Sequence, residues 1–344
     1  MRRLGSFGVL AAAGVAVLAA TPATAHPGTP EWRTVHSGGG QFRGLAAVSP
    51  RVAWVAGAGG VVLRTVDGGR RWADVSPADA AGLEFRDIEA TDARHAVALT
   101  IGEGDASRIY VTDDGGAHWT LGFRNTDPAA FYDCTAFYDR WHGLAMSDPV
   151  DGKFRILSTV DGGHHWTVLP SDGMPAAQPG EAGFAASGTC LVTAGRTAYL
   201  ASGGGAAARV YRSDDGGHTW TYTDTGVPSS ASAGIFSLAF HDPRHGIALG
   251  GDYLAPTAAP HSQAGTSDGG RSWVGGDGPG EYRSGAAWLT GRTVLAVGPT
   301  GSDISTDAGR TWTRFDHDSY DAVQCAGGTC WASGTDGRIA VLRR

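Results

Sequence analysis

An eight-residue pattern, Ser/Thr-x-Asp-x-Gly-x-x-Trp, returns six times along this chain. It first occurs as Thr65-Val66-Asp67-Gly68-Gly69-Arg70-Arg71-Trp72, and its later aspartates are Asp114, Asp161, Asp215, Asp268 and Asp307. Successive aspartates are 47, 47, 54, 53 and 39 residues apart. Periods of this length belong to propellers or solenoids, in which each repeat is one supersecondary unit. Every position in the pattern has a physical task. A short Asp side chain accepts bonds from nearby backbone N–H groups and so fixes a tight turn. Glycine permits the positive φ that such a turn requires. The Trp opens the next strand and buries its ring between neighbouring sheets. Apolar runs such as Val61-Val62-Leu63-Arg64 and Arg108-Ile109-Tyr110-Val111 precede the turns and read as strands ending in a hairpin.

Counting aromatic residues at the head of each unit gives seven rather than six. The heads are Phe42, Phe85, Phe131, Phe184, Phe236, Tyr282 and Tyr320. The seventh unit, from Trp331 to Ile339, matches Trp54 to Val62 of the first, but the chain stops before another Asp turn. Its missing strand is found at the other end: Glu31-Trp32-Arg33-Thr34-Val35 resembles Arg71-Trp72-Ala73-Asp74-Val75. The expected fold is therefore all-β, a single seven-bladed β-propeller of four-stranded antiparallel blades, closed by the N-terminal strand. Closure removes the open sheet edges that invite aggregation.

Composition agrees with this class. The 344 residues include 54 glycines and only 18% charged residues, and no helical periodicity follows the N-terminal segment. Arg2 and Arg3, the apolar run Val9 to Ala20 and the small-x-small site Ala23-Thr24-Ala25 read as a signal peptide over residues 1–25, leaving the propeller over 26–344. Arg2-Arg3 also allows the twin-arginine export route. The apolar run is short for a membrane span, and no second one follows. A secreted or cell-envelope location is expected after cleavage near Ala25. Without Arg2 and Arg3 the balance is 25 basic against 34 acidic residues, about −9, and Lys153 is the single lysine. Nucleic acid needs many cationic phosphate contacts, so it is excluded as a partner. The expected partner is a protein or glycan in the envelope or outside the cell, met by a monomer.

Four cysteines in an exported chain suggest disulfides rather than metal ligation, because no CxxC spacing occurs. Cys325 and Cys330 flank Ala326-Gly327-Gly328-Thr329 and are expected to bridge a hairpin. Whether Cys134 and Cys190 pair is left open by the sequence. No metal and no cofactor is expected.

The recurring turn resembles the Asp box, or BNR repeat, of the sialidase-superfamily propellers. Phe42-Arg43-Gly44-Leu45, Trp54-Val55-Ala56-Gly57, Arg94-His95-Ala96, Arg140-Trp141-His142-Gly143, Arg244-His245-Gly246 and Tyr282-Arg283-Ser284-Gly285 further resemble the photosystem II assembly/stability factor propellers, in a bacterial branch found outside photosynthesis. That resemblance implies that each box joins the third and fourth strands of a blade on the face away from the site. The six box aspartates are therefore expected to be structural.

The opposite face, at the mouth of the central channel, collects Arg43, Arg86, Tyr132, Asp133, Arg283 and Asp321 from strand starts. It also receives Asp148, Asp151, Asp252 and Tyr253 from loops, and Glu181 from the approach to the fourth blade. Of these, Arg43, Arg86, Asp148, Glu181, Asp252, Tyr253 and Arg283 are the expected ligand contacts. Arginines there can hold a carboxylate bidentately, and Tyr253 offers a flat apolar surface with a polar tip. Each has a structural alternative: the arginines as inter-blade ties, Asp148 as a turn residue, Glu181 as the partner of an arginine. His142, His165, His218 and His245 lie on turns without metal spacing and are expected to have surface roles. The function expected is a noncatalytic binding scaffold, assembly-factor-like. The alternative is a glycoside hydrolase of sialidase-like type, although Phe42-Arg43-Gly44 lacks the Ile-Pro that completes the sialidase signature. A third possibility, another enzyme class, has no motif to name it. Three guanidiniums from Arg43, Arg86 and Arg283 converging with Tyr253 or Tyr282 and a carboxylate would favour the hydrolase.

Overall fold

The computed structural model describes residues 30–343; the expected signal peptide and its cleavage site lie outside the described residues. Seven four-stranded antiparallel sheets make up the fold, and no α-helix occurs among the described residues. In blade one the strands run, from the axis outward, Phe42–Ala47, Ala53–Gly57, Val62–Thr65 and Ala73–Asp74. The second strands are the core: every residue of Ala53–Gly57 and of Val294–Gly298 is buried between neighbouring sheets. Strands covered on both faces read as continuous apolar runs rather than alternating ones. The outer strands are short and exposed, as in Ala73–Asp74 and Thr167–Val168, which limits the free edge offered to other chains.

Closure follows the expected scheme. Glu31–His36 is the outer strand of the last blade, paired with Ile339–Arg343 in the register Trp32↔Leu342, Arg33↔Val341 and Thr34↔Ala340. The inner strands face one another across the axis and have no strand on their free side. Side chains from the neighbouring blade satisfy their backbone instead. Asp87 accepts from Thr135 N and Oγ1 at 2.6 and 2.8 Å, Gln324 from Ala47 N at 3.0 Å, and Ser237 from Ala286 N at 2.9 Å.

The six repeated turns share one hydrogen-bond plan. Thr65 Oγ1 donates to Asp67 Oδ1 and accepts from Gly69 N, both at 3.0 Å, while Arg71 N donates to Asp67 Oδ1 at 3.0 Å. The same three bonds recur around Asp114, Asp161, Asp215, Asp268 and Asp307. The leading Ser/Thr is thus as much a part of the turn as the Asp. In the last turn Ala308 takes a left-handed φ of 62° where the other five have glycine.

One expected blade head falls elsewhere. The inner strand of blade four is Leu191–Ala194, and Phe184 lies in the segment leading to it. That segment is drawn over the channel mouth by Glu181, whose buried carboxylate accepts from Ser202 Oγ, Tyr211 Oη and Gln178 N. Cys134 and Cys190 are bonded, tying the inner strand of blade three to the approach to blade four, and Cys325–Cys330 bridges facing positions of the last blade.

Candidate functional site at the channel mouth

The inner strands of four blades carry a register shift next to their head aromatic. The shifts fall between Phe42 and Gly44, Phe85 and Asp87, Tyr132 and Cys134, and Ile235 and Ser237. The extra residues are Arg43, Arg86, Asp133 and Phe236. A bulge re-aims its side chain and ends regular pairing. Here it turns Arg43, Arg86 and Phe236 toward the mouth, where a cavity of about 430 Å³ is lined by Gln41, Arg43, Arg86, Phe184, Phe236, Tyr253, Tyr282 and Asp321, while Asp133 stays buried.

One wall of the cavity is aromatic. Phe184 and Phe236 stack with centroids 4.2 Å apart and planes 6° from parallel. Tyr282 meets Phe236 edge-on at 4.7 Å, and Tyr253 meets Phe236 and Phe184 edge-on at 6.2 and 6.4 Å. Tyr253 is 47% exposed and Leu254 beside it 74%, so the apolar wall continues onto the rim.

The other wall is charged. Arg86 donates from Nε to Glu84 at 2.8 Å and from Nη1 to Ala185 O, which fastens the Phe184 segment. Burial, and then the charge of Arg43, lower its pKa from the ordinary arginine value. Arg43 Nε lies 3.8 Å from Asp321 Oδ1 and, although buried, has no hydrogen-bond partner. Asp321 accepts from Gln41 Nε2 at 2.7 Å, and burial raises its pKa against the pull of Arg43, Gln41 and Arg86. Behind Arg86, burial and the neighbouring Asp148 carboxyl push Asp133 well above the usual carboxylate range. Burial pushes Asp148 up to about 6, although Gly183 N donates to it at 2.7 Å. Asp133 is buried behind the Phe184 segment, while Asp148 and Glu181 line a separate, open cavity of about 490 Å³ beside Gln178 and Pro179.

The structure brings Arg43, Arg86 and Tyr253 into one cavity and separates the other expected contacts from it. Arg283 has no exposed surface; it bonds Asp303, Tyr282 O and Thr300, with Glu281 at 3.5 Å. A bare guanidinium inside the sheet stack would be costly, so it is a structural tie and not a ligand contact. Glu181 is likewise consumed by internal bonds, with Arg209 at 3.4 Å. Asp148 supports Gly183, and Asp252 accepts from Leu254 N at 2.9 Å to start the Tyr253 loop. Only two of the three arginines converge, so the arrangement set out above as favouring a hydrolase does not form. Phe184 and Phe236 are cavity residues that were read from the sequence only as blade heads, whereas Tyr282 was set beside Tyr253 as the tyrosine of the hydrolase arrangement. Asp321 was read as a mouth residue but not as part of the binding set, and Gln41 was not singled out.

A second cavity, about 580 Å³, opens between blades three and four on the Asp-turn face, lined by Tyr138, His142, Leu144, Arg196, Asp214 and His218 among others. There Leu144 packs against Gly217, the position at which Trp331 meets Gly69 and Tyr199 meets Gly270 in other gaps. This cavity opens to the surface. Its acids are already engaged: Asp139 by His142, Asp214 by Arg212 and Thr197, Asp215 by Ser213 and Thr219. Among the described residues no group of three or more His, Cys, Asp or Glu could hold a metal ion.

No protein-family model matches the chain, and no curated protein sequence does. Solved structures do. YCF48 bound to a D1 peptide matches with a TM-score of 0.66 at 13% identity, over 93% of this chain and 98% of that one. The fold is shared with these proteins. YCF48 from Cyanidioschyzon merolae matches with a TM-score of 0.63 at 15% identity, over 90% of this chain and 98% of its own. The Niastella koreensis GH74 enzyme matches at 0.59 and 13% identity over 89% of this chain, which spans about half of the enzyme (53%). At such identities the likeness concerns architecture.

Proposed function

We propose that this propeller is an exported, noncatalytic scaffold that holds a carboxylate-bearing protein segment at the channel mouth. The observation that carries this reading is the cavity in which Arg43 and Arg86 face a wall of Phe184, Phe236, Tyr253 and Tyr282. Two guanidiniums recognise a carboxylate, and the aromatic wall takes an adjacent apolar side chain. Glu84 and Asp321 temper the positive charge, so a mixed polar and apolar segment suits the site better than a polyanion. The overall likeness to a propeller solved with a bound peptide supports a protein segment ahead of a glycan. The six equally bonded turns support placement among the Asp-box propellers. The leader expected over residues 1–25 and the bonds Cys134–Cys190 and Cys325–Cys330 support an oxidising, extracytoplasmic setting.

The test is fluorescence anisotropy with a labelled pentapeptide that ends in leucine and carries a free carboxylate. The wild type should bind it, Arg43→Ala should lose most of the affinity, and the amidated peptide should bind weakly to both. Equal binding of acid and amide would remove the role given to the arginines. Turnover of a fluorogenic sialoside, lost in Arg43→Ala, would replace the scaffold with the hydrolase.

A further inference from the structure

Asp321 occupies an unusual position for a residue in an anion-binding wall. Its backbone is fixed on both sides: Asp321 N donates to Ser333 O at 2.8 Å, and its carbonyl accepts from Ser284 Oγ at 2.7 Å. Its side chain is held by Gln41 Nε2 at 2.7 Å and is only 11% exposed. The carboxylate therefore stays in place. Arg43 is the adaptable partner. It stands on a bulge, its side chain is 27% exposed, and its Nε faces Asp321 at 3.8 Å, too far for a hydrogen bond.

We infer that Asp321 competes internally with the partner's carboxylate for Arg43. On binding, Arg43 turns from Asp321 to the incoming group, and Asp321 takes up a proton so that two anions need not share the buried wall. The inference rests on the reading that the mouth takes a carboxylate. It adds a residue that sets affinity and links binding to pH.

The charged and titratable groups facing Asp321 are Arg43 on the adjoining first blade and Arg86 on the second, with the phenols of Tyr282 and, farther out, Tyr253. Glu84 is already spent on Arg86, and the Asp133–Asp148 pair lies behind it. Two carboxylates forced into one site do not both ionise easily; one keeps a proton. Asp321 is the one to take it, because burial already disfavours its charged form. The sign follows. A bound anion raises the proton affinity of Asp321, so the complex holds more protons than its separated parts. Affinity then rises as pH falls, until the ligand's own carboxyl protonates near pH ~4. Burial pushes Asp148 up to about 6 as well, so its contribution has to be separated by its own variant.

The experiment is calorimetry near pH ~5.5 and ~7.5, in buffers of different ionisation enthalpy, on the full ring and its variants. The probes are the leucine-terminated pentapeptide as free acid, its amide, and an amidated peptide with glutamate at the end. The first and last separate a main-chain terminus from a side-chain carboxylate as the source of the anion, and the amide is the control without it. Wild type should take up a proton with the carboxylate probes and bind them about tenfold more tightly at the lower pH, one pKa-unit equivalent of coupling. Asp321→Asn should bind at the higher pH at least as tightly as wild type does at the lower one, without that proton uptake. Asp148→Asn should keep it, and so should Asp321→Glu, which retains the ionisable group if the Asn variant folds poorly. Should Asp321→Asn keep the wild-type pH profile, or weaken binding while its melting temperature is unchanged, Asp321 only anchors Arg43 and the inference fails while the binding reading stands. Should no carboxylate probe bind wild type or variant at either pH, the binding reading fails and this inference with it.

Discussion

Trp32, near the beginning of the described chain, donates its indole N–H to Ser302 of the sixth blade at 2.9 Å, across 270 positions of sequence. Its ring also lies 5.6 Å from Tyr320 and 5.9 Å from Phe315, so the N-terminal strand is packed into the ring as well as paired along its edge. Deleting residues 26–36 should expose the Ile339–Arg343 edge and lower both solubility and melting temperature. Trp32→Ala alone should cost about 3 kcal/mol, since it empties a buried aromatic site. Thermal melts of the two proteins check this, and an unchanged melting temperature for the deletion would refute closure by this strand.

The Asp turns should behave as staples. Asp161→Ala should cost about 1 kcal/mol, by analogy with the loss of a helix-capping side chain, and leave peptide binding intact wherever the variant is folded. Bonds from the His118 and Thr311 backbone N–H groups lead the causes that hold Asp114 and Asp307 near pKa 2. Their folded values lie below the unfolded one, so their contribution is complete above about pH 4 and is lost as pH falls toward 2. Acid unfolding followed by circular dichroism should show stability declining through that window, and less steeply once a box aspartate is replaced.

Arg283→Ala should destabilise by about 3 kcal/mol, because it strips buried Asp303 of one of its two counter-charges and leaves Arg314, at 3.1 Å, as the other. Binding by the folded fraction should be unchanged. Denaturant melts paired with anisotropy separate these effects, and a selective loss of binding at full stability would return Arg283 to the site.

The two disulfides should differ in weight. Loop-closure entropy assigns about 4 kcal/mol to Cys134–Cys190, which spans 56 positions, and about 2 kcal/mol to Cys325–Cys330, which spans 5. Paired Cys→Ser variants compared by urea titration should rank in that order; the reverse would place the main constraint in the last blade.

The ring and its closure were legible because the Asp turn is local: its Ser/Thr, Asp and glycine satisfy one another within a few residues, so every copy keeps the same letters. The mouth was legible only in part. Arg43, Arg86 and Arg283 all follow an aromatic at the head of a blade, and sequence gives no sign that Asp303 waits inside the sheet for Arg283, with Arg314 on its other oxygen. Phe184 reads like another blade head, yet Glu181, which binds groups 21 and 30 positions away, pulls its segment over the channel. Long-range polar contacts of that kind leave no periodic trace. Pairing of Cys134 with Cys190 was unreadable for the same reason.

Placement of the partner on the mouth face is the central claim, and site-specific photocrosslinking tests it most directly. A benzophenone side chain is placed at Tyr253 on the mouth rim or at Val160, 73% exposed in an Asp turn on the opposite face. Each protein is irradiated with the labelled carboxylate peptide. Crosslinking at Tyr253, suppressed by Arg43→Ala and absent at Val160, is the predicted result. Crosslinking at Val160 with none at Tyr253 would contradict the account.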